Sequence, residues 1–363
     1  MTATGDAILV VGGYGTIGRT VCNELANSVS EEVIAAGRSP EKAHRFADTI
    51  AGVNARTLDV NEESFDESLA GVGTVVMCLD AADATFARSC FERGIDYVDI
   101  SPDDSLLRDI ETADGIARKN GSTAVLSVGL SPGMTNLFVS DAAAELDTVD
   151  RADITLLLGL GEAFGPDTIK WTVEDAFGRF SVQNSEQSIS VTGLTEPRMV
   201  RIPEWGRRRA YRANLADQQV LARTTDIPTV ESRLCYDSRV VTRYLAALRR
   251  TGLFQPVVSM LGVNIIVKLA DTLPVGSDES VIKTAVRGSK NGRLSRIEQW
   301  VRGPDQARAT ALVAVQVTSE LVGSSQPAGV LHIQELFDSS PFVETLLEGN
   351  YEVGRTQQQG RVS

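Results

Sequence analysis

The run Ala7-Ile8-Leu9-Val10-Val11-Gly12-Gly13-Tyr14-Gly15-Thr16-Ile17-Gly18 decides how the chain begins to fold. Five apolar residues read as a strand buried on both faces, a glycine cluster follows, and a helical pattern opens at once from Ile17. After such a strand the backbone must turn sharply, let a pyrophosphate approach where a Cβ would obstruct it, and aim helix N–H groups at the phosphates. Glycine at 13, 15 and 18 meets those three demands. Gly13, Tyr14, Gly15, Thr16, Ile17 and Gly18 are therefore expected to bind a dinucleotide. The spacing by itself is weak, since glycine-rich loops produce it by chance; strand, motif and helix in register give it weight.

Working outward, the first third alternates apolar runs with helical patterns, which predicts a parallel sheet with crossover helices. Strands are expected near Ala7–Val11, Glu32–Ala36, Asn54–Leu58, Thr74–Cys78, Tyr97–Ile100 and Thr123–Ser127. Helices are expected near Ile17–Asn27, Pro40–Thr49, Glu62–Leu69, Ala82–Arg93 and Ser105–Asn120, with Gly94 and Gly121 placed as C-caps. From Ala152 the strands read as mostly antiparallel, and Lys290-Asn291-Gly292 supplies a hairpin turn. The fold class is α/β: a doubly wound parallel Rossmann sheet with an inserted α+β domain on a mostly antiparallel sheet. Residues 1–130 with 303–363 form the expected dinucleotide-binding domain and 131–302 the substrate domain. The polar tail from Gly354 is expected to fray.

Bulk properties narrow the classes. At 363 residues the chain exceeds the about 250–300 at which single cores stop growing, so two domains are expected. Composition is ordinary for a globular protein, with 42% apolar and 23% charged residues. A net charge of −13 would repel a phosphate backbone, which argues against a nucleic-acid partner. The start lacks the basic and apolar regions of a signal peptide, and Leu253 to Ala270 is interrupted by Gln255, Pro256, Asn264 and Lys268. A cytoplasmic protein without a membrane span is expected. Four cysteines stand singly and only His44 and His332 offer imidazoles, so no metal site is expected. His332 reads as a packed residue near a helix start, with a cleft base as the alternative.

The cofactor can be narrowed further. NAD sites place an acid at the end of the second strand, about 20 residues past the glycines, to bind the ribose 2′-hydroxyl. Here that region reads Ala35-Ala36-Gly37-Arg38-Ser39, without an acid. Arg38 can pair with a 2′-phosphate and Ser39 can add a hydroxyl, so NADP is expected in preference to NAD. Asp59 is placed toward the adenine, or is a turn residue. Cys78 and Leu79 end the fourth strand near the nicotinamide ribose.

Further on, Gly129-Leu130-Ser131-Pro132-Gly133-Met134-Thr135-Asn136 completes a set of matching pieces with Gly12–Gly18, Tyr97-Val98-Asp99-Ile100-Ser101, Ile282 to Gly288, Thr310-Ala311 and Gly329-Val330. Taken in order, these resemble the saccharopine dehydrogenase-like (saccharopine reductase) family, with its lysine 6-dehydrogenase and carboxynorspermidine dehydrogenase relatives. The resemblance implies an NAD(P)-dependent oxidoreductase transferring hydride at a carbon–nitrogen bond of an amino-acid derivative, and a homodimer acting on a small molecule. The chain departs from the family's pattern after Gly329-Val330, where it has Leu331-His332-Ile333.

Reduction of an imine requires a positioned nicotinamide, a protonated nitrogen and anchors for carboxylates. Asp99 and Ser101, leaving the fifth strand, and Asp80, after the fourth, are the candidate catalytic side chains, with loop capping as the alternative for each. Pro132 and Gly133 are expected to bring backbone to the nicotinamide. Arg207-Arg208-Arg209, Arg179 and Arg233 are candidate carboxylate anchors, although a charge run on an irregular stretch is usually solvated. Two other readings are a trans-acting enoyl reductase, which requires an apolar acyl groove, and a non-enzymatic NADP(H)-sensing module. A third is a condensing enzyme that keeps its cofactor bound.

Overall fold

The computed structural model describes residues 5–62, 64–79, 81–161, 176–184, 187–261 and 276–360. Two compact units divide the chain: Met1–Met134 with Ala307–Gly349, and Thr135–Gln306 with Asn350–Ser363.

The first unit is built from β1 (Ala7–Val11), β2 (Val33–Gly37), β3 (Val53–Thr57), β4 (Val72–Met77), β5 (Asp96–Asp99) and β6 (Thr123–Leu126). Between them lie α1 (Thr16–Ser28), α2 (Pro40–Ala47), α3 (Thr85–Glu92), α4 (Asp104–Glu111) and α5 (Asp114–Asn120). Every residue of β1 and β2 is buried, as a parallel strand covered on both faces requires. Helix α1 packs through Gly18, Val21, Cys22 and Leu25, the i, i+3, i+4, i+7 face of an amphipathic helix.

Two expected helices differ from observation. Ser105–Asn120 is split into α4 and α5, because the Thr112 hydroxyl donates to Asp109 O at 2.6 Å and also accepts from Arg88, closing the first helix there. Over Glu62–Leu69 the described residues form turns rather than a helix. The buried pair Phe65 and Leu69 mimics helical spacing, yet Arg56 takes the carbonyls of Ser68 and Ala70, and one turn suffices to bury the Phe65 ring and the Leu69 methyls.

The second unit contains β7 (Thr148–Leu158), β8 (Arg179–Asn184), β9 (Gln187–Thr192), β10 (Arg198–Ile202), β11 (Gly206–Arg212), β12 (Val230–Tyr236), β13 (Glu279–Lys290) and β14 (Arg293–Pro304). β13 and β14 form the expected hairpin. Asn291 (φ 52°) and Gly292 (φ 68°) lie in the left-handed region between the paired Lys290 and Arg293, as a two-residue turn matched to strand twist demands. The helix Gln306–Gly323 then leads to β15 (Gly329–His332), and β16 (Glu352–Gly360) follows.

Strand order in the first unit is β15-β6-β5-β4-β1-β2-β3, with every pair parallel: a doubly wound sheet carrying one extra strand. In the second unit it is β10-β11-β12-β7-β13-β14-β16; β12 and β7 run parallel and the remaining pairs antiparallel. Up to Gly360 the tail is paired rather than frayed, contrary to the expectation. β16 pairs with β14 from Glu352 to Gly360, and Trp300 lies over Gly354, where a Cβ would stand 2.0 Å from the indole. The C-terminal segment thus belongs to the second sheet.

Candidate cofactor site

Order reverses in the first sheet between β1 and β4, and ligands of open α/β sheets collect beyond the strand ends at such a switch point. Gly12 (φ +79°) makes the turn out of β1, and a Cβ there would meet the Leu79 side chain at 2.7 Å. Gly13 presses on β2, leaving 2.8 Å between a Cβ and Ala35 Cα. Gly18 seats α1 against the turn, since its Cβ would lie 2.2 Å from Gly12 O. Gly15 is different. A Cβ on it would approach only Gly12 O, at 3.1 Å, and would otherwise project into the space where a phosphate must come close.

Gly15 is also the N-cap of α1, with no side-chain cap and no acid in the first turn. Helix N–H groups and the positive end of the dipole therefore face open space, an arrangement suited to an anion. Thr16 and Ile17 open this turn. A dinucleotide pyrophosphate fits here: the glycine cradle is one that a Cβ would fill, and the uncapped amides are the matching donors.

The end of β2 is tied to the same loop. Tyr14 lies across Gly37, and its hydroxyl accepts from the Ser39 amide at 3.1 Å. Ser39 caps α2, its hydroxyl accepting from Lys42 N at 3.4 Å. Arg38, immediately before it, is exposed. Asp59, beyond β3, accepts from the backbone and side-chain amides of Asn61, which gives it the turn role weighed from sequence. Cys78 donates its backbone N–H to Val11 O and its thiol is held neutral, burial pushing it well above its usual value. Leu79, partly exposed, packs over Gly12.

Asp99 is fully buried. It accepts from the Tyr97 hydroxyl at 3.0 Å and from Ser101 N at 2.7 Å, while Ser101, also buried, accepts from Asp103 N. Both side chains hold the turn after β5. Asp80 lies outside the described residues. Pro132 and Gly133 belong to a buried loop in which Gly133 (φ +135°) leaves no room for a Cβ, 1.9 Å from Gly129 O, and Met134 N returns to that carbonyl.

Sequence reasoning left one set of side chains unconnected. His332, at the end of β15, is buried with Nδ1 2.8 Å from Ser127 Oγ and Nε2 2.9 Å from Glu111 Oε1, and its amide donates to Glu335. Ser127 follows β6 with φ 59°. Only His332 had a signal in the sequence, as the imidazole before a short helix; its partners are 205 and 221 residues away. His44 is exposed on α2. Arg233 is buried and paired with Glu231 at 2.6 Å. Arg207–Arg209 lie not on an irregular stretch but in β11.

A parallel sheet of this winding, with a glycine-opened helix at its switch point, is the architecture of a Rossmann-type dinucleotide-binding domain. Residues 8–125 match the family model of the saccharopine dehydrogenase NADP binding domain. Over that stretch the chain is similar to the NADP-binding domain of saccharopine dehydrogenases. No curated protein sequence matches it significantly. Among solved structures, it is similar to apo saccharopine dehydrogenase (L-Glu forming) from Saccharomyces cerevisiae: TM-score 0.70 and 14% identity, covering 98% of this chain and 100% of that one. It is also similar to C. glutamicum DAP dehydrogenase in complex with DAP: TM-score 0.46 and 14% identity, covering 96% and 99%. No helix among the described residues is long and apolar enough to cross a membrane.

Proposed function

We propose that the protein is an NADP-dependent oxidoreductase that transfers hydride at a carbon–nitrogen bond of an amino-acid derivative, and that it works as a homodimer. Arg38 carries the choice of NADP. It is exposed beyond β2, beside a serine and with no carboxylate next to it, and it makes no ion pair among the described residues. A guanidinium there pairs with a 2′-phosphate, whereas an NAD site requires an acceptor for the 2′-hydroxyl. The carbon–nitrogen chemistry is supported by the family resemblance and by the fold shared with the yeast saccharopine dehydrogenase.

When bound, the nicotinamide supplies or accepts the hydride. The chain's residues do the rest. Gly15 and the first turn of α1 hold the pyrophosphate, Arg38 and Ser39 the 2′-phosphate, and Tyr14 fixes the spacing between these two anion sites. Asp99 and Ser101 act as positioning residues that keep the β5 turn rigid. Asp80, outside the described residues, keeps from the sequence a candidate share in stabilising the cationic substrate nitrogen.

NADPH and NADH oxidation measured against 2-oxo acids, each paired with an amine, tests the reaction. Turnover of one such pair with NADPH is expected. Clear NADPH binding with no turnover of any pair would remove the carbon–nitrogen assignment and leave the cofactor. Arg38→Asp should weaken NADPH at least about tenfold, the loss of one charged hydrogen bond, and affect NADH much less. Equal loss of both coenzymes would overturn the NADP assignment.

A further inference from the structure

The second unit holds a cavity of about 180 Å³ between β11 and the helix Arg239–Arg250. Five arginines line it: Arg207, Arg208 and Arg209 from the strand, Arg239 and Arg243 from the helix. No aspartate or glutamate is among its lining residues. None of the five joins an ion pair among the described residues, which sets them apart from the arginines gathered about Glu231 in the same unit. Arg151, Arg198, Arg212 and Arg233 all close on Glu231, and Arg151 and Arg198 reach Asp153 as well.

Further features show the local charge to be uncompensated. Arg208 is half-buried and stacked over Trp205 at 5.2 Å, and its Nε is buried with no hydrogen-bond partner. Burial first, and then the charge of Arg239, press its guanidinium below its usual value. Arg239 and Arg243 stand in the first turns of a helix that has no acid there, so two cations crowd the positive end of a dipole, where anions are stabilised instead. Asp237, whose field reaches Arg208, is already committed to the amides of Ser238 at 2.6 Å and Ser277 at 2.5 Å.

We propose that this cavity is a binding site for a phosphate group, either free or as a phosphomonoester. A carboxylate brings one negative charge and is satisfied by a single guanidinium fork. Alternation along β11 puts Arg207 and Arg209 on one face and Arg208 on the other, and with Arg239 and Arg243 nearby the positive charge still exceeds what one carboxylate neutralises. A phosphate dianion offers three or four acceptor oxygens and up to two charges to more than one fork. The volume suits a group of that size. This assignment is independent of the coenzyme reading, which concerns the first unit.

Inorganic phosphate titrated calorimetrically into the full chain, at fixed ionic strength with chloride as control, tests it. Arg239→Gln and Arg243→Gln are exposed changes expected to leave the melting temperature in place and to weaken phosphate at least about fivefold each. Arg38→Ala, at the coenzyme site, should leave this binding unaltered. Glycerol 3-phosphate and vesicles with and without phosphatidic acid separate a soluble phosphomonoester from a lipid headgroup; saturable binding of either, lost in both variants, supports the site. Absence of phosphate binding, binding unchanged in both variants, binding abolished by Arg38→Ala, or glutarate binding tighter than phosphate would each overturn the proposal.

Discussion

The hydroxyl of Tyr14 accepts a hydrogen bond from the Ser39 amide across 25 residues of sequence, at 3.1 Å. Its ring fills the space above Gly37, where a Cβ would come within 2.6 Å. The glycine turn and the end of β2 are thereby held at one separation, which in the proposed NADP site would be that between pyrophosphate and 2′-phosphate. Tyr14→Phe keeps the ring and removes the bond. A neutral hydrogen bond of about 0.5–1.5 kcal/mol translates into NADPH binding weakened about 2- to 10-fold. Calorimetry with NADPH measures it; an unchanged affinity would mean that the hydroxyl does not set the spacing.

The glycines of the turn should separate by assay. Gly18→Ala drives a Cβ to 2.2 Å from Gly12 O, a backbone atom of the same turn, and is expected to cost about 1–3 kcal/mol of stability. Gly15→Ala meets only one oxygen at 3.1 Å, so its melting temperature should stay close to that of the parent while NADPH affinity falls at least about tenfold. The pairing of thermal melts with coenzyme titration decides. Loss of stability in Gly15→Ala with coenzyme affinity retained would reverse the roles given to the two positions.

What the sequence disclosed follows from what folding writes into it. A strand buried on both faces must be apolar throughout, and a turn against a phosphate must lack Cβ atoms, so Ala7–Val11 and the glycines at 13, 15 and 18 were legible. β11, with its Gly-Arg-Arg-Arg start, was not, because its arginines give no apolar alternation to read. β16 was hidden for a related reason: its side chains are largely exposed, and backbone pairing with β14 is what holds it. Asp99 was named with two roles open, catalysis and loop capping, because the burial that turns it inward toward Tyr97 arises from tertiary packing and leaves no local pattern. The contacts of His332 span more than 200 residues and leave no local pattern.

That histidine joins the carboxyl ends of β6 and β15 to α4. His332→Ala removes bonds to Ser127 and Glu111 and leaves the fully buried Ser127 hydroxyl without this partner, for an expected loss of about 2–4 kcal/mol. Glu111→Gln keeps an acceptor at the half-buried end and should cost under about 1 kcal/mol. Urea unfolding of the two variants compares them. Equal, small effects would show that the Ser127–His332–Glu111 chain does not stabilise the sheet ends.

Asp96, at the start of β5, gives the fold a pH dependence of defined sign. Burial pushes its carboxyl up from 3.8 to about 6, against the opposing bond its Oδ1 accepts from Thr123 N at 2.7 Å. A carboxyl raised on folding binds its proton more tightly in the native than in the unfolded chain, so between those two values the native state holds more protons and stability falls as pH rises. The contribution is unfavourable and fully developed above about pH 6, and it vanishes below about pH 4. Asp96→Asn retains an oxygen acceptor for Thr123 N and carries no charge. It should stabilise the protein by about 1–2 kcal/mol at pH 7, and the gain should shrink toward zero by about pH 4. Urea midpoints of both proteins across that range measure the difference. A gain that is constant with pH, or one that grows as pH falls, would show that the Asp96 carboxyl is not the group held up by burial.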